Sequence, residues 1–451
     1  MTHPDLLGLL QCPRCRRAAL APGTDLFVCG GCSAQYPMVG GIPWLFADPL
    51  QALGDWRNRL SQYLEEFAAA ARAAEADRAA TTRPATRDRL TRLLEGYREQ
   101  QRLIAELLAP LKLAPSTLGQ ATQQAFATRL PQSQDLHSYY ANVHRAWAWG
   151  EDENKASLDL VMGALESAPG RVLVLGAGAC RLAFDVHRAG SAALTVALDI
   201  NPLLLIAARR IVAGETVPLM EFPLAPRRLA DVAVRRELRA GAPLRPGFEF
   251  VFADAWQAPF KPQSFDAVIT PWLVDIVDLD FASIAAHVNR LLAPAGRWVN
   301  FGSLAFPWRR PALRLSLEEL EPVLGETGFA LKSIRDVALP YMRSPASRHS
   351  RLEEVVVFAA DKVRRSPHEP LPPSLPPWFD AHDQPVPRLP PLSLAADASR
   401  IQAVLLALID GQRSIDELVR LVSKQRLLPA DQARSAIRGL LERLYVAGER
   451  L

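Results

Sequence analysis

The chain has 451 residues, too many for one ordinary core, so two to four domains are expected. Hydrophobic residues make up 49% and charged residues 22%, the balance of a soluble globular protein. A net charge of +4, from 52 basic and 48 acidic residues, sets up no field that points to nucleic acid, and DNA binding is not expected. No apolar run approaches the length of a membrane span, and the start Met1 to Asp5 lacks a basic segment and an apolar core, so no membrane partner and a cytoplasmic location are expected.

Residues 5 to 46 carry Cys12-Pro-Arg-Cys15 and Cys29-Gly-Gly-Cys32, with thirteen residues between the pairs. Four cysteines in one pattern argue for a reducing compartment and a shared ion rather than disulfides. The spacing predicts a zinc ribbon over 1–48, with Cys12, Cys15, Cys29 and Cys32 holding one structural zinc. Each knuckle needs a tight turn that aims backbone N–H groups at sulfur, which gives Gly30 and Gly31 a reason. All four ligands come from protein, so the zinc is not expected to be catalytic. The stretches Leu6-Leu-Gly-Leu-Leu-Gln-Cys-Pro-Arg-Cys15 and Tyr36-Pro-Met-Val-Gly-Gly-Ile-Pro43 resemble the small zinc-ribbon activators of methyltransferases. That resemblance implies a module that docks on a methyltransferase, here fused to one.

Residues 49–130 read as a helical region. Leu53, Trp56, Leu60, Tyr63, Leu64 and Phe67 share one helical face, and Leu90, Leu93, Leu94, Tyr97, Ile104 and Leu108 share another. Pro84 lies in the connection and Pro110 ends the second pattern. From Asp135 to Asn154 aromatic and polar residues are dense, and a helix follows to about Ser167. This stretch reads as a flap over a cofactor or as a buried cap.

The centre of the chain is Arg171 to Ala183. Val172 to Leu175 is a short apolar run fit for a buried strand, and Gly176 and Gly178 follow at once. A helix starts near Arg181. The glycines let the backbone pass close to a ligand, and the N–H groups of the helix start face it. A second strand, Ala193 to Leu198, ends at Asp199, 21 residues past Gly178, where an acid meets ribose hydroxyls in nucleotide folds. The third glycine of the dinucleotide pattern is absent and Arg181 stands there, which suits S-adenosylmethionine better than NAD. A helix, Pro202 to Val212, leads to an insertion, roughly 214 to 246, with little strand character. Phe248 to Phe252 reads as the third strand and ends at Asp254, placed to meet an adenine amino group. Ser264 to Trp272 covers the fourth strand, and its tip carries Trp272, Asp275 and Asp278. Arg297 to Gly302 is the fifth, and Phe329 to Leu339 with Glu354 to Ala360 can pair as a closing hairpin.

Seven strands in this order, the last two antiparallel, are the Rossmann-like layout of a class I methyltransferase; its domain is placed at 131–365. Over 135 to 363 the chain resembles carnosine N-methyltransferases. The resemblance rests on Val174 to Ala183, Phe265-Asp-Ala-Val-Ile-Thr270, Asp275, Leu291 to Gly302 and Leu315 to Leu320. It implies an S-adenosylmethionine cofactor touched by Asn142 and Arg145, with Arg145 near the methionyl carboxylate. Gly176, Gly178, Arg181, Asp199, Asp254 and Ala255 complete the expected cofactor contacts. It also implies that Asp275 holds a substrate imidazole, fixing its tautomer or taking its proton, with Tyr341 and Asn300 as orienting groups. The sequence departs from the family in three places. Cys180 replaces a glycine, Phe306-Pro307 replaces a Tyr-His pair, and Arg351-Leu-Glu353 replaces a tyrosine cluster. These departures point to a peptide or protein acceptor rather than free carnosine, with RNA, another protein acceptor, or a non-catalytic scaffold as the rival readings.

Residues 366–394 are proline-heavy and read as a stiff linker. Residues 395–451 read as three helices of a small winged-helix-like domain, with Asp410-Gly411 as a turn and Ser414 and Glu417 as a capping box. Asp410 to Leu418 resembles the peptide-binding chaperone domain of pyrroloquinoline-quinone synthesis. A partner protein is expected at the zinc ribbon or at this module.

Overall fold

Four short strands open the chain: β1 (Leu20–Pro22), β2 (Leu26–Cys29), β3 (Gln35–Val39) and β4 (Ile42–Pro43). They pair in sequence order as an antiparallel meander. A computed structural model describes residues 4–113, 136–166, 169–277, 279–306, 311–367, 385, 388, 390–424 and 430–449. The chain divides into two units, Met1–Pro372 and Pro373–Leu451.

So small a meander has almost no core of its own. Leu6, Leu10, Tyr36 and Leu45 are instead buried in one cluster with Leu198, Val251 and Phe260 of the central domain. Backbone bonds complete the join: Leu45 N donates to Phe252 O at 2.7 Å, Gln11 N to Pro259 O at 2.8 Å and Lys261 N to Leu9 O at 2.9 Å. The ribbon therefore covers what would be an open sheet edge.

Asp48 caps the next helix, Pro49–Ala80, by accepting from Gln51 N at 3.0 Å, and Pro49 fits the first turn, where its missing N–H costs nothing. Trp56, Leu60, Tyr63 and Phe67 of the expected face are buried. The second helix, Pro84–Leu107, buries Leu90, Leu94 and Ile104. Pro84 is its first residue rather than part of the connection.

The large sheet is built from β5 (Arg171–Leu175), β6 (Leu194–Asp199), β9 (Phe248–Phe252), β10 (Phe265–Pro271), β11 (Leu292–Gly302), β12 (Phe329–Tyr341) and β13 (Arg351–Lys362). Its order is β12-β13-β11-β10-β5-β6-β9. The strands from β9 to β11 run parallel, while β13 is antiparallel to both β11 and β12. This is the seven-stranded Rossmann-like layout expected from the sequence. Two details differ. The fifth strand of the set begins at Leu292 and takes the Pro294-Ala-Gly296 turn inside it, with Ala295 left-handed at φ +59°. The insertion also has strands, β7 (Val217–Glu221) and β8 (Val234–Leu238), paired antiparallel from Val217↔Leu238 to Glu221↔Val234. Neither strand alternates cleanly: β7 reads Val-Pro-Leu-Met-Glu and β8 Val-Arg-Arg-Glu-Leu, so proline and charge mask the pattern. Tertiary contacts stabilise the hairpin: Met220 N donates to Gln100 Oε1 at 2.8 Å.

The second unit holds helices Pro390–Ala407, Ile415–Lys424 and Ala430–Glu449. Leu418, Val419, Val422, Ala433 and Ile437 form its core. The capping box is made: Ser414 N donates to Glu417 Oε2 at 2.8 Å and Glu417 N to Ser414 Oγ at 3.3 Å. Among the described residues of this unit there is no strand. Most of the proline-rich stretch lies outside the described residues. Among those described, no helix is long and apolar enough to cross a membrane.

Candidate active site and metal centre

The strand order reverses beside β5, with β6 and β9 on one side and β10 on the other, and it is at the carboxyl ends of such strands that an open α/β sheet leaves a crevice. After β5 the chain turns through three left-handed residues, Gly176 (φ +70°), Gly178 (φ +55°) and Cys180 (φ +60°). Gly176 and Ala177 both donate to Leu198 O at 3.0 Å, which ties the turn to β6. A side chain on Gly176 would press on Leu273 at 2.9 Å, whereas one on Gly178 would meet nothing within 4 Å. Gly178 thus leaves its outer side open for a ligand. Cys180 holds a conformation that costs a non-glycine residue about 1 kcal/mol or more. It is fully buried, and burial pushes its thiol well above the usual range, so it is no nucleophile.

Asp199 ends β6 and is nearly buried. Its Oδ2 accepts from Gly178 N at 2.7 Å and its Oδ1 from Asn201 N at 2.8 Å. Burial raises its carboxyl above the ordinary value, and the N–H groups of Asn201 and Gly178 oppose that rise. A carboxylate has about four acceptor positions, so roughly two remain for ligand hydroxyls. Asp254 ends the β9 segment and accepts from Trp256 N at 2.9 Å, starting a short turn that includes Ala255. Burial raises it too, opposed by the Trp256 N–H and by the charge of Arg16 from the ribbon.

The flap, Leu136–His144, runs into a π-helical turn, Arg145–Trp149, a form common at functional sites. His144 packs edge-on to Tyr140, and both bond Met220 O, at 3.2 and 2.9 Å. His144 is thus a packing residue; the side chain of His137 lies outside the described ones. Asn142 Oδ1 accepts from the Tyr341 hydroxyl at 2.8 Å. The Arg145 guanidinium lies 4.8 Å over the Tyr341 ring and 3.9 Å from Glu153. Arg145 Nε and Trp149 Nε1 are buried donors with no hydrogen-bond partner, one π-turn apart. The sequence singles out neither Trp149 nor Glu153; the dense run from Trp147 to Glu153 was their only signal. Glu153 accepts from Met342 N at 3.2 Å and Arg343 N at 2.9 Å, fixing the turn past Tyr341. Arg181 is spent within the protein, donating to Asp185 at 2.7 Å, Ala146 O at 3.0 Å and Glu151 at 2.9 Å. It fastens the flap to the glycine turn.

Across the crevice Trp272 is left-handed at φ +50° and packs on Phe301 and Tyr341, with ring centroids 5.8 and 5.1 Å away. Gly302 leaves room for its backbone, since a side chain there would sit 3.2 Å from Trp272. Asp275 is nearly buried; its Oδ2 accepts from the Ser303 hydroxyl and from Ala305 N at 3.0 Å. Asn300 is fully buried elsewhere: its Oδ1 accepts from Thr270 at 3.0 Å and its Nδ2 donates to Val356 O at 3.2 Å. No described contact joins it to Asp275 or Tyr341. Phe306 packs 6.2 Å from Phe281 in the core. Asp278 and Pro307 lie outside the described residues.

In the ribbon the four cysteine sulfurs lie within 4.8 Å of one another. Cys12 and Cys32 are 3.7 Å apart and Cys15 and Cys29 3.6 Å. Four thiolates about 2.3 Å from one tetrahedral ion stand ~3.8 Å apart, so the set fits such a metal. Cys15 N and Gly31 N point at Cys12 and Cys29 sulfur, at 3.5 and 3.3 Å. The Tyr36 hydroxyl stands 3.1 Å from Cys12 sulfur behind the set. The left-handed residue of each knuckle is not glycine: it is Arg16 (φ +52°) and Ser33 (φ +56°), just past the second cysteine. Gly31 is needed for space, since a side chain there would be 3.0 Å from Ala18.

No protein-family model matches the chain, and no curated protein matches it. Among solved structures it is similar to the N-methyltransferase NodS from Bradyrhizobium japonicum, at 12% identity over 48% of this chain and 97% of that one, with a TM-score of 0.32. It is similar to the [4+2]-cyclase SpnF, at 16% identity over 52% and 97%, with a TM-score of 0.35. A third is a complex of the Haloferax volcanii Trm112 methyltransferase activator with a candidate methyltransferase, at 13% identity over 51% and 98%, with a TM-score of 0.35. Likeness at this level decides nothing about activity.

Proposed function

We propose that the chain is an S-adenosylmethionine-dependent N-methyltransferase whose acceptor is a nitrogen, such as a histidine side chain, within a peptide or protein. The observation that carries the reading is the Asp199 carboxylate, held by Gly178 N–H beside an open glycine turn. It leaves acceptor positions for two ribose hydroxyls, with Asp254 and Ala255 toward the adenine. The unpartnered donors of Arg145 and Trp149 suit the methionyl carboxylate, and Asn142 reaches the same end through Tyr341. When bound, the cofactor supplies an electrophilic methyl group on sulfur. The protein then mainly aligns a neutral nitrogen and excludes water. Asp275 keeps one oxygen for the acceptor N–H while the other anchors the loop at Ser303 and Ala305. Tyr341 and Trp272 form the wall beside it. Asn300 acts at a distance, holding the carboxyl ends of β10 and β11 in register. Phe306 faces the core, so a polar grip on a free dipeptide is missing, which favours a larger acceptor. The four cysteines hold a structural zinc, and the location is cytoplasmic.

Calorimetry tests the reading directly. The full chain binds S-adenosylmethionine, and Asp199→Ala weakens binding by about 1–3 kcal/mol, because two hydroxyls lose their acceptor. A parent chain that shows no binding overturns the enzyme reading. Turnover of free carnosine as fast as that of a histidine peptide overturns the acceptor.

A further inference from the structure

Two loops meet beyond Tyr341 and make one wall. Arg227 N donates to Ala346 O at 3.0 Å and Arg348 N to Ala225 O at 2.8 Å, with an antiparallel bridge between Pro226 and Ser347. Residues 222–230 and 342–352 contain five arginines and one histidine, and no Asp or Glu. Those arginines, Arg227, Arg228, Arg343, Arg348 and Arg351, are all exposed. Among the described residues only Arg351 of the five has an ion-pair partner, Glu353 at 3.2 Å. The arginines of the adjoining hairpin behave otherwise: Arg235 pairs with Glu99 and Glu237, and Arg236 with Glu221. A fold that neutralises its structural arginines has left four of these five unpaired, which concentrates positive potential on one surface. The surface also exposes Leu224 (72%) and Leu352 (68%). It borders the crevice, because Arg351 lies 5.1 Å over the Tyr341 ring.

We infer that this wall is the docking surface for the acceptor, and that it takes an acidic peptide segment carrying apolar side chains. The inference rests on the methyltransferase reading for its purpose, but not for its chemistry. Charge complementarity selects the acidic partner, and the exposed leucines give its apolar residues a place to bury. A single-stranded RNA would share the arginines, yet it also needs open aromatic faces on which to stack bases. Among the described residues of the wall no Phe, Tyr or Trp presents one, and His349 is its one exposed aromatic ring. Two guanidiniums already cover Tyr341, and Phe222 stacks on Tyr97 and Phe67.

The test is fluorescence anisotropy on the full chain. The probe is a labelled peptide of alternating Glu and Leu around one His; a Lys-for-Glu version and an oligouridylate of equal length serve as comparisons. The acidic peptide is expected to bind tightest, to weaken steeply with salt, and to weaken roughly tenfold or more in the double variant Arg227→Glu, Arg348→Glu. Leu224→Ser is expected to lose severalfold without changing the salt dependence. Both variants keep the parent's S-adenosylmethionine affinity by calorimetry, since none of the three residues belongs to the proposed cofactor site. Equal binding of acidic and basic peptides, no effect of charge reversal, or tighter binding of the oligouridylate overturns the inference. Cofactor binding is read separately, so a chain that binds the peptide but not S-adenosylmethionine sinks the enzyme reading and spares the docking surface.

Discussion

The two halves of the crevice are held in different ways. At the glycine turn, Gly178 N–H meets a carboxylate 21 residues on, and Asp254 caps a turn two residues away. Where the flap meets the closing hairpin, Tyr341 bonds Asn142 across 199 residues, and Glu153 holds Arg343 across 190. The first half is fixed by short βα connections that any chain of this fold must make. The second is fixed by elements that come together only when the sheet, the flap and the insertion are all in place. A half built from local geometry tolerates little change, while one built from long-range contacts can be refitted to a new acceptor by changing loops.

The largest way to break this contrast is through the ribbon. Strand ends and loops at 252–261 carry Asp254 and are bonded to Leu45, Gln11 and Leu9. Structural zinc sites are worth on the order of 10 kcal/mol of folding free energy. Metal analysis should give one zinc per chain, reduced in Cys29→Ser. Chelation should lower the melting temperature and weaken S-adenosylmethionine binding together. A chelated chain that melts and binds as before would show that the cofactor half stands without the ribbon.

Next comes Asp275→Asn, which should leave cofactor affinity intact and lower kcat by about a hundredfold, within the range for a lost proton acceptor. Equal losses in cofactor binding and turnover would mean that the two halves are not separable.

Acid should then distinguish them by stability. Burial depresses His144 on the flap and His287 beneath Trp256, each to about 3 against an ordinary 6.5. Between those values the unfolded chain binds the protons and the native chain does not. Stability is therefore full above about 6.5 and is lost progressively as pH falls toward about 3. His144→Gln should flatten this loss in hydrogen exchange of the flap and leave the exchange of residues 281–291 still acid-sensitive. An unchanged flap profile would reject the assignment.

The smallest effect is expected from Tyr341→Phe. It removes one hydrogen bond to Asn142, worth about 1 kcal/mol. KM for the acceptor should rise severalfold with kcat little changed, as steady-state kinetics would report.

The sequence alone determined the cysteine set, the succession of strands along the chain and the acids at two strand ends, because each rests on short-range rules: paired knuckles, apolar runs of strand length, and an acid past a strand's carboxyl end. The capping box at Ser414 belongs to the same class. Tertiary structure decided the rest. The β7–β8 hairpin was hidden because its stability comes from Gln100 and the helices, not from its own alternation. Arg181 stood at a cofactor position in the sequence, yet Asp185, Glu151 and Ala146 claim it, since a guanidinium goes where carboxylates and carbonyls converge. Trp149 and Glu153 acquired their roles only when the flap turned through a π-helix beside Tyr341. The basic wall, too, has no motif: its arginines lie in two stretches more than a hundred residues apart, and only the bridge between Pro226 and Ser347 makes them one surface.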